Sequence, residues 1–422
     1  MAREMKDSGV EWIGEIPNRW NITRNKYVMV KEKKICPIYE NQDVLSLTQK
    51  GVVVRDLDNP TGKMPTSFDG YQYIHKGNLL MCLFDIDVTP RCIGIIKNDG
   101  VTSPAYSQFI VNYGFANYYY YYYLMLDFSK ELLHLAKNLR HSLTEELLGF
   151  VPVPFPPLEE QENISNYLDK KCSEIDSLTA DIKKQISFLE DYKKSIITES
   201  VTKGLNPNVE LKDSGVEWIG DIPKHWTVHP IYCYFSERKN KNFSMKEHNL
   251  LSLSYGKIIK KDINALGGLL PASFNTYNIV ERDDIIIRPT DLQNDKKSLR
   301  TGLVQEKGII TSAYLDLKPN KNVYSKFFHY LLHSYDVIKV FYNMGNGVRQ
   351  GLTYGVFSSL KVIEPPLSEQ QNIANYLDKK CSEIDSLISE KKEQLENLAS
   401  YKQSMIYEYV TGKKEVPTQE IA

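Results

Sequence analysis

The stretch "NYLDKKCSEIDSL" occurs twice in this chain, at residues 166–178 and again at 375–387, without one substitution. Each copy lies in a long segment of good helix formers, 158–202 and 367–411, that neither Gly nor Pro interrupts. Prolines in "PPLEEQ" and "PPLSEQ" precede the two segments, and glycines follow them in "TKGLNP" and "TGKKEVP". The pattern predicts two helices of roughly 40 residues, each about 60 Å long.

Apolar residues recur along both predicted helices with a period of seven, as in a coiled coil. In the first helix the a positions are Ile175, Ile182, Leu189 and Ile196, and the d positions are Leu178, Gln185 and Tyr192. In the second the a positions are Ile384, Lys391, Leu398 and Met405, and the d positions are Leu387, Gln394 and Tyr401. A helix of this length must bury its apolar stripe against a partner. We therefore expect the two helices to pair with each other as an antiparallel coiled coil.

A second repeat extends the duplication to the whole chain. "KDSGVEWIGEIPNRW" at 6–20 returns as "KDSGVEWIGDIPKHW" at 212–226, and together they hold all four tryptophans. The segments between these repeated motifs differ more in sequence, but the two halves can still be aligned there. For example, "DVLSLT" at 43–48 matches "NLLSLS" at 249–254. Short β-branched and aromatic runs separated by Gly, Pro, Asn and Asp predict strands and turns in these segments. Six consecutive tyrosines, at 118–123, align with a helical pattern in the second half and predict a buried helix start.

These features predict a mixed α/β (α+β) fold with an internal pseudo-two-fold repeat. We expect one globular domain at 1–157, a conserved helical spacer at 158–205 and a second globular domain at 206–366. A second helical spacer follows at 367–413, with a short tail at 414–422. A chain of 422 residues is long enough for two cores of this kind.

Composition and charge indicate a cytoplasmic protein. No apolar run reaches the length of a membrane span, and the N-terminal stretch lacks the apolar core of a signal peptide. The six cysteines are scattered without a CxxC pair, which favours reduced thiols over a zinc site. Net charge is −1, but 227–366 holds 19 Lys and Arg against 12 Asp and Glu. This excess suits either a DNA-facing surface or an ordinary solvated one.

The duplicated sequence contains none of the common catalytic motifs. The sequence contains no phosphate loop, no GxGxxG, no HExxH, no GxSxG and no Asn-Pro-Pro-aromatic tetrapeptide. "HLAKNLRH" spaces two histidines seven apart, a pattern more typical of surface or packing roles than of metal ligands. Together with the repeat, this favours a binding or scaffolding protein over an enzyme.

The motifs jointly resemble the DNA-specificity subunit of type I restriction–modification systems. The resemblance rests on "SGVEWIGEIPNRW", "GVTSPAY", the loops "RHSLT" and "RQGLT", and "PPLEEQENISNYLDKKCSEIDSL" followed by a long helix. It covers residues 6–413 with both halves in register. It implies two target recognition domains that read the two halves of a split double-stranded DNA sequence, and paired helices that fix the gap between them.

The same resemblance implies a subunit without catalytic activity or cofactor of its own. It implies docking of two copies of an adenine-N6 methyltransferase subunit and, for cleavage, of restriction subunits that translocate DNA. S-adenosylmethionine, ATP and magnesium would then bind those partners.

Candidate functional residues follow from position and residue type. The DNA-binding candidates of the first half are Ser46, Thr48, Lys63, Thr66, Ser67, Arg91, Ser103, Tyr106 and Arg140. Those of the second half are Ser252, Ser254, Lys257, Arg288, Lys296, Lys297, Arg300, Ser312, Tyr314 and Arg349. The loop at 288–300 is the more basic one, so the second domain is predicted to supply more of the salt-dependent affinity.

The identical polar residues of the repeated stretch are the candidates for partner docking. They are Asp169, Lys170, Lys171, Glu174 and Asp176, with their copies Asp378, Lys379, Lys380, Glu383 and Asp385. Two copies of one partner need two copies of one surface, which would explain this identity. Two alternatives stay open: a DNA-specificity adaptor of a methyltransferase-only or other modification system, and a coiled-coil structural protein without a nucleic-acid role.

Overall fold

The computed structural model of the chain contains two compact units. It describes residues 3–60, 62, 64–89, 91–136, 142–264, 271, 273–290, 292, 299–320, 322–344 and 351–417. Unit 1 comprises Met1–Ile182 and Lys392–Ala422, and unit 2 comprises Lys183–Lys391. Both boundaries fall inside a long helix, so each long helix contributes to both units.

Unit 1 combines short antiparallel strands with helices. Its strands are β1 (Met5–Asp7), β2 (Glu15–Pro17), β3 (Asn21–Arg24), β4 (Met29–Glu32), β5 (Lys34–Ile35), β6 (Leu45–Thr48), β7 (Gly51–Val54), β8 (Gln72–Ile74), β9 (Leu79–Met81), β10 (Ile93–Ile95), β11 (Gly100–Thr102), β12 (Ser107–Val111) and β13 (Pro152–Phe155). Its helices are α1 (Ala116–Ser129), α2 (Leu132–Leu135), α3 (Glu145–Phe150) and the first part of α4 (Leu158–Lys203). The largest sheet has the order β10-β9-β12-β4, and β6 and β7 form a hairpin.

Unit 2 repeats this arrangement. Its strands are β14 (Leu211–Asp213), β15 (Asp221–Pro223), β16 (Thr227–Pro230), β17 (Phe235–Glu237), β18 (Leu251–Ser254), β19 (Lys257–Lys260), β20 (Asn278–Val280), β21 (Ile285–Ile287), β22 (Thr301–Leu303), β23 (Gly308–Ile310), β24 (Leu315–Pro319) and β25 (Lys361–Glu364). Its helices are α5 (Ser325–Val337), α6 (Tyr354–Phe357) and the first part of α7 (Leu367–Val410). Its largest sheet, β17-β24-β21-β22, matches that of unit 1 strand for strand. The mixed α and β class and the long paired helices are as predicted.

The repeated tryptophan motif closes each unit around the start of a long helix. In unit 1 the indole of Trp20 is fully buried and donates from Nε1 to Glu160 Oε2 at 2.7 Å, in the first turn of α4. In unit 2 the equally buried Trp226 donates to Glu369 Oε2 at 3.0 Å, in the first turn of α7. The carboxylates also suit the positive end of the helix dipole. This contact gives both the motif and the "PPLEEQ" and "PPLSEQ" sequences a structural reason to persist.

The long helices run antiparallel within each unit. In unit 1 the ring centroids of Tyr167 and Tyr409 lie 4.6 Å apart, and Lys402 Nζ lies 2.6 Å from Asp176 Oδ1. Numbers rise along α4 while they fall along α7. In unit 2 the corresponding ion pair joins Lys193 Nζ and Asp385 Oδ1, also at 2.6 Å. The same two residues of the repeat therefore form the same ion pair in both units.

The buried column beside the a positions differs from the prediction. The predicted d residues Leu178 and Leu387 are 48% and 45% exposed and do not belong to the seam. The seam uses the residue four positions after each a residue instead of three. In α4 the buried or half-buried column reads Leu168, Cys172, Ile175, Thr179, Ile182, Ile186, Leu189, Lys193, Ile196 and Ser200. In α7 it reads Leu377, Cys381, Ile384, Ile388, Lys391, Leu395, Leu398, Lys402, Met405 and Tyr409.

The difference depends on which side of the row of a residues packs against the facing helix. At 3.6 residues per turn, positions three and four residues after an a residue lie on opposite sides of it. The side four residues on offers Ile186, Ile388 and Leu395 for burial. It also carries the two lysines that reach a carboxylate of the facing helix through their long side chains.

The tyrosine run forms the interior helix α1 of unit 1, as expected. Tyr118, Tyr119, Tyr122 and Tyr123 are at most 1% exposed. Burial of a phenol is costly unless its hydroxyl has a partner. The Tyr118 hydroxyl donates to the Val410 carbonyl at 2.8 Å, and that of Tyr122 donates to the Pro152 carbonyl at 2.6 Å. A base-stacking role for these rings is thereby excluded.

Candidate nucleic-acid interface

One β-hairpin in each unit carries sequence-predicted DNA-binding residues. β6–β7 holds Ser46 and Thr48, and β18–β19 holds Ser252, Ser254 and Lys257. Both hairpins pack one face against a glycine of the neighbouring strand. A Cβ on Gly302 would lie 2.6 Å from Leu253 Cδ1, and a Cβ on Gly94 would lie 2.8 Å from Leu47 Cδ1. This close approach fixes each hairpin on its unit.

The turn of the first hairpin is held by side-chain contacts. Thr48 Oγ1 donates to the Gly51 carbonyl at 3.0 Å and accepts from the Lys50 amide at 3.1 Å. Arg91 donates from one guanidinium nitrogen to the Gln49 carbonyl at 2.6 Å and from the other to the Tyr120 hydroxyl at 2.9 Å. Two predicted residues, Thr48 and Arg91, thus meet at one turn. Gln49 and Lys50 are exposed at its tip.

The turn of the second hairpin is built differently on the same scaffold. Its two central residues are Tyr255 and Gly256, with φ of 45° and 78°. The Tyr255 side chain is 84% exposed. Lys257, Lys260 and Lys261 are exposed on the strand that follows and just beyond it. Sequence reasoning missed Tyr255, because Tyr–Gly is not among the pairs that favour a two-residue hairpin turn.

Most other described candidates lie at the surface or near it. Thr66, Ser67 and Ser312 are exposed, and Ser46, Ser103, Tyr106, Ser252, Ser254, Arg288 and Tyr314 are half-buried. The ring of Tyr106 stacks on Phe84, with centroids 6.3 Å apart. Lys63, Arg140, Lys296, Lys297 and Arg349 lie outside the described residues.

The prediction that Arg300 contacts DNA is wrong. Its side chain is fully buried. The guanidinium donates to the Tyr342 hydroxyl at 3.1 Å and to the Thr290 carbonyl, while its backbone amide donates to Asp336 at 2.5 Å. The sequence alone could not distinguish Arg300 from the other basic residues of the 288–300 loop, because no local pattern marks its side chain as buried.

A polar cluster lies under the sheet of each unit, and its charges differ. In unit 2, Arg238 donates from Nε and Nη2 to the buried Asp284 at 2.7 and 3.0 Å, and its Nε lies 3.9 Å from the buried Asp316. Burial raises the pKa of Asp284, and burial with the neighbouring Asp284 carboxylate raises the pKa of Asp316 to about 8. With a pKa of about 8, the Asp316 carboxyl group is mostly protonated at neutral pH.

In unit 1 the corresponding positions form a cluster with one carboxylate. Asn78 Nδ2 donates to Glu32 Oε2 at 3.1 Å, and Gln108 Nε2 donates to the same oxygen at 2.9 Å. Gln108 is buried, like Asp316.

Four of the ten docking candidates contact a different helix of the chain. Asp169 accepts from Asn117 and from the Tyr121 hydroxyl at 2.6 and 2.7 Å, and Asp378 accepts from Lys326 and from the Tyr330 hydroxyl at 2.6 and 2.9 Å. Asp176 and Asp385 form the helix-to-helix ion pairs described above. These contacts give the repeated carboxylates a structural reason for their identity.

The remaining docking candidates lie on the outer surface of the helices. Lys170, Glu174, Lys379 and Glu383 are exposed, while Lys171 and Lys380 are half-buried. Lys171 pairs with Glu174 at 3.1 Å, and Lys380 with Glu383 at 2.9 Å. Partner docking by these six residues stays a prediction.

In the described part of the chain, no helix is both long and apolar enough to cross a membrane. The same residues contain no group of three or more His, Cys, Asp and Glu side chains arranged to hold a metal ion.

Sequence comparisons show that the chain is similar to specificity subunits of type I restriction enzymes. Residues 304–397 match the family model of the type I restriction modification DNA specificity domain. The chain is 28% identical over 283 residues to the putative type I restriction enzyme MjaX specificity subunit of Methanocaldococcus jannaschii. It is 26% identical over 278 residues to the MjaVIII specificity subunit of the same organism. These matches cover 66% and 62% of this chain, and 62% of the length of either relative.

Comparison with solved structures gives the fold. The HsdS subunit from Thermoanaerobacter tengcongensis matches with a TM-score of 0.51 at 13% identity, covering 94% of this chain and 98% of that one. A chain from a study of complex assembly and conformational transition of the type I R-M system matches with a TM-score of 0.68 at 12% identity, over 94% of this chain and 99% of that one. The resemblance predicted from the sequence is therefore confirmed: residues 304–397 are similar to the DNA specificity domain of type I restriction–modification systems, and the chain has the fold of the solved HsdS subunit.

Proposed function

We propose that this chain is the non-catalytic DNA-recognition subunit of a type I restriction–modification complex. Unit 1 would read one half of a bipartite target and unit 2 the other. The observation that carries this proposal is the pair of equivalent hairpins with unlike tips, Gln49–Lys50 and Tyr255–Gly256. Base readout needs different side chains on a common backbone, because each base pair presents its own pattern of donors, acceptors and methyl groups.

The two hairpins also supply what DNA affinity requires. Lys257, Lys260 and Lys261 are exposed just after the second tip, and Lys50 is exposed at the first tip. Lysines of this kind neutralise phosphates and release counterions, which gives affinity without sequence preference. A two-stranded ribbon is one of the elements that fit the major groove. Exposed lysines would thus position each unit, and the tip side chains would specify bases.

Chemistry would reside in the partners of this chain. We infer that the exposed repeated residues of α4 and α7 dock two adenine-N6 methyltransferase subunits, and that restriction subunits join them for cleavage. S-adenosylmethionine, ATP and magnesium would then bind outside this chain.

The decisive experiment maps N6-methyladenine in DNA exposed to the full chain with its methyltransferase partner. The expected result is one split sequence with a fixed gap, methylated in both halves. Methylation at a single continuous site would contradict the reading of one half-site by each unit. Absence of sequence preference would contradict DNA recognition altogether and favour a structural role. ATP-dependent cleavage of unmethylated target by the complete complex would distinguish a restriction system from a methyltransferase-only one.

The long helices would set the gap between the half-sites, since each of them contributes to both units. Inserting one or two helical turns within 178–195 should lengthen the gap and leave both half-sites unaltered. The matching insertion must be made in α7 as well, because an antiparallel pair stays in register only if both helices lengthen together. A change in the half-sites themselves would contradict this division of labour.

A further inference from the structure

The tip of the second hairpin combines unusual exposure with an unfavourable backbone conformation. Tyr255 is more exposed, at 84%, than any other large apolar or aromatic side chain in the described part of the chain. Its φ of 45° lies in the left-handed region, where a bulky residue is disfavoured. Two-residue turns with both central φ values positive take Asn–Gly or Asp–Gly most readily. Neither packing nor turn geometry therefore explains a tyrosine at this position.

The hairpin beneath the tip is held in place. Leu253 and Ile258, on its inner face, reach Gly302 so closely that a Cβ there would lie 2.6 and 2.8 Å from their terminal methyl carbons. The side chain of Leu299 covers Gly256, so that a Cβ on that glycine would lie 3.1 Å away. A ring on a fixed support loses little conformational freedom on binding, which favours a recognition role.

The surroundings of the tip fit a nucleic acid. Lys257, Lys260 and Lys261 are exposed, and only Lys260 forms an ion pair within the described residues, with Glu306 at 2.8 Å. Exposed lysines, of which only one is paired with a carboxylate among the described residues, beside an exposed aromatic ring combine phosphate contacts with a group that can touch base edges. The ring can pack on a thymine methyl group, and its hydroxyl can donate to or accept from a base edge.

We propose that Tyr255 enters the major groove at the tip of the β18–β19 hairpin and determines at least one base pair of the half-site that unit 2 reads. This inference rests on the proposed function and adds to it a named residue. In unit 1 the same place is taken by Gln49, whose amide suits a bidentate contact with adenine. The two half-sites should accordingly differ at the base pairs opposite the two tips.

The test compares methylation maps of the full chain with its methyltransferase partner for three variants. Tyr255→Asn gives the turn its preferred Asn–Gly pair, so this variant should fold at least as well as the parent. It should nevertheless lose roughly tenfold of its discrimination at one or two adjacent base pairs of one half-site. Tyr255→Phe separates the hydroxyl from the ring. Tyr232→Ala removes another exposed tyrosine of unit 2, 57% exposed, as a matched control and should change nothing.

The outcomes separate this inference from the function on which it rests. A parent chain that yields no bipartite map overturns the proposed function. A bipartite parent map that Tyr255→Asn leaves unchanged in both half-sites overturns the role of Tyr255 alone. Relaxation that appears equally in both half-sites, or equally with Tyr232→Ala, also overturns it. An unchanged salt dependence of binding in Tyr255→Asn is expected, because the lysines still contact the phosphates.

Discussion

The two units share a scaffold but differ inside it as well as on its surface. Beneath the sheet of unit 1, two amides donate to the single carboxylate of Glu32. At the same place in unit 2, Arg238 faces the carboxyl groups of Asp284 and Asp316. The charges of the two clusters are therefore unrelated, although the clusters occupy equivalent positions. The globular parts of the two units thus differ in a whole buried network and not only at single positions.

The ends of the two halves show the opposite behaviour. The contacts of Trp20 with Glu160 and of Lys402 with Asp176 recur residue for residue in the second half. Each of these contacts joins segments that are far apart in the sequence, so a change on one side needs a matching change on the other. This coupling explains the identity of the repeated stretch at least in part without a partner protein.

The largest effect is expected from removing the cation of the unit 2 cluster. Arg238→Met leaves two buried carboxyl groups without their guanidinium and should lower the free energy of unfolding of unit 2 by about 3–5 kcal/mol. Hydrogen exchange measured by mass spectrometry would localise the loss to unit 2. The matched variant Glu32→Gln, in unit 1, keeps a polar group of the same size and should cost about 1 kcal/mol. Equal losses in the two variants would mean that the two networks are energetically alike.

A smaller effect, equal in both units, is expected where strands approach each other most closely. A Cβ on Gly308 would lie 2.5 Å from the Asn249 carbonyl oxygen, and a Cβ on Gly100 would collide with the Asp43 carbonyl oxygen. Gly308→Ala and Gly100→Ala should each destabilise their unit by about 1–3 kcal/mol, because backbone must move. Gly355→Ala is the control, since its nearest atom would be 3.8 Å away. Tolerance of one alanine but not the other would show that the scaffolds have diverged too.

The protonated carboxyl group of unit 2 predicts a pH dependence that unit 1 lacks at the equivalent position. Because the pKa of Asp316 is raised to about 8 from a usual value near 3.8, the folded state binds more protons than the unfolded state between these pH values. The stability of unit 2 therefore falls as pH rises through this window. Asp316→Asn removes the titrating group and keeps a polar side chain of the same size.

Calorimetry of parent and Asp316→Asn from pH 5 to pH 8.5 tests this sign. The difference in unfolding temperature should grow in favour of the variant by a few degrees as the pH rises. Glu237 and Arg238, the other charged groups facing Asp316, remain in both proteins. A difference that is constant with pH would mean that Asp316 is ionised throughout.

The smallest effect should come from the helix-to-helix ion pairs. Lys193→Met and Lys402→Met each remove a pair that is partly exposed, so each should cost at most about 1 kcal/mol. The two losses should be equal, because the pairs are the same in both units. Unequal losses in urea unfolding would show that the divergence of the globular parts reaches the helices.

Sequence patterns predicted the long helices well and the burial of individual candidate DNA-binding residues poorly. Both long helices begin at the residue after "PP", and α1 is buried as its alignment suggested. Periodicity fixes such features because they depend on neighbours in the chain. The flank of the coiled-coil seam was misassigned at Leu178 and Leu387, because positions three and four residues after an a residue differ little in local sequence.

The solvent exposure of residues at the candidate interface was also not predictable from the sequence. Arg300 belongs to a basic loop and was predicted to contact DNA, but its side chain is buried. Tyr255 was not predicted as a candidate, but it is the most exposed aromatic side chain in the described part of the chain. Exposure depends on which strands come together, and no local pattern reports it.

By itself the sequence determined that the chain is a duplication, that its long segments are helices, and which family of subunits it resembles. These are statements about repetition, periodicity and motif order, which the covalent chain carries directly. Only the tertiary structure decided which helix flank is buried, which arginine is internal, and which turn presents a ring to solvent. Each of these depends on contacts between residues distant in sequence, whose free energies arise only when the chain has folded.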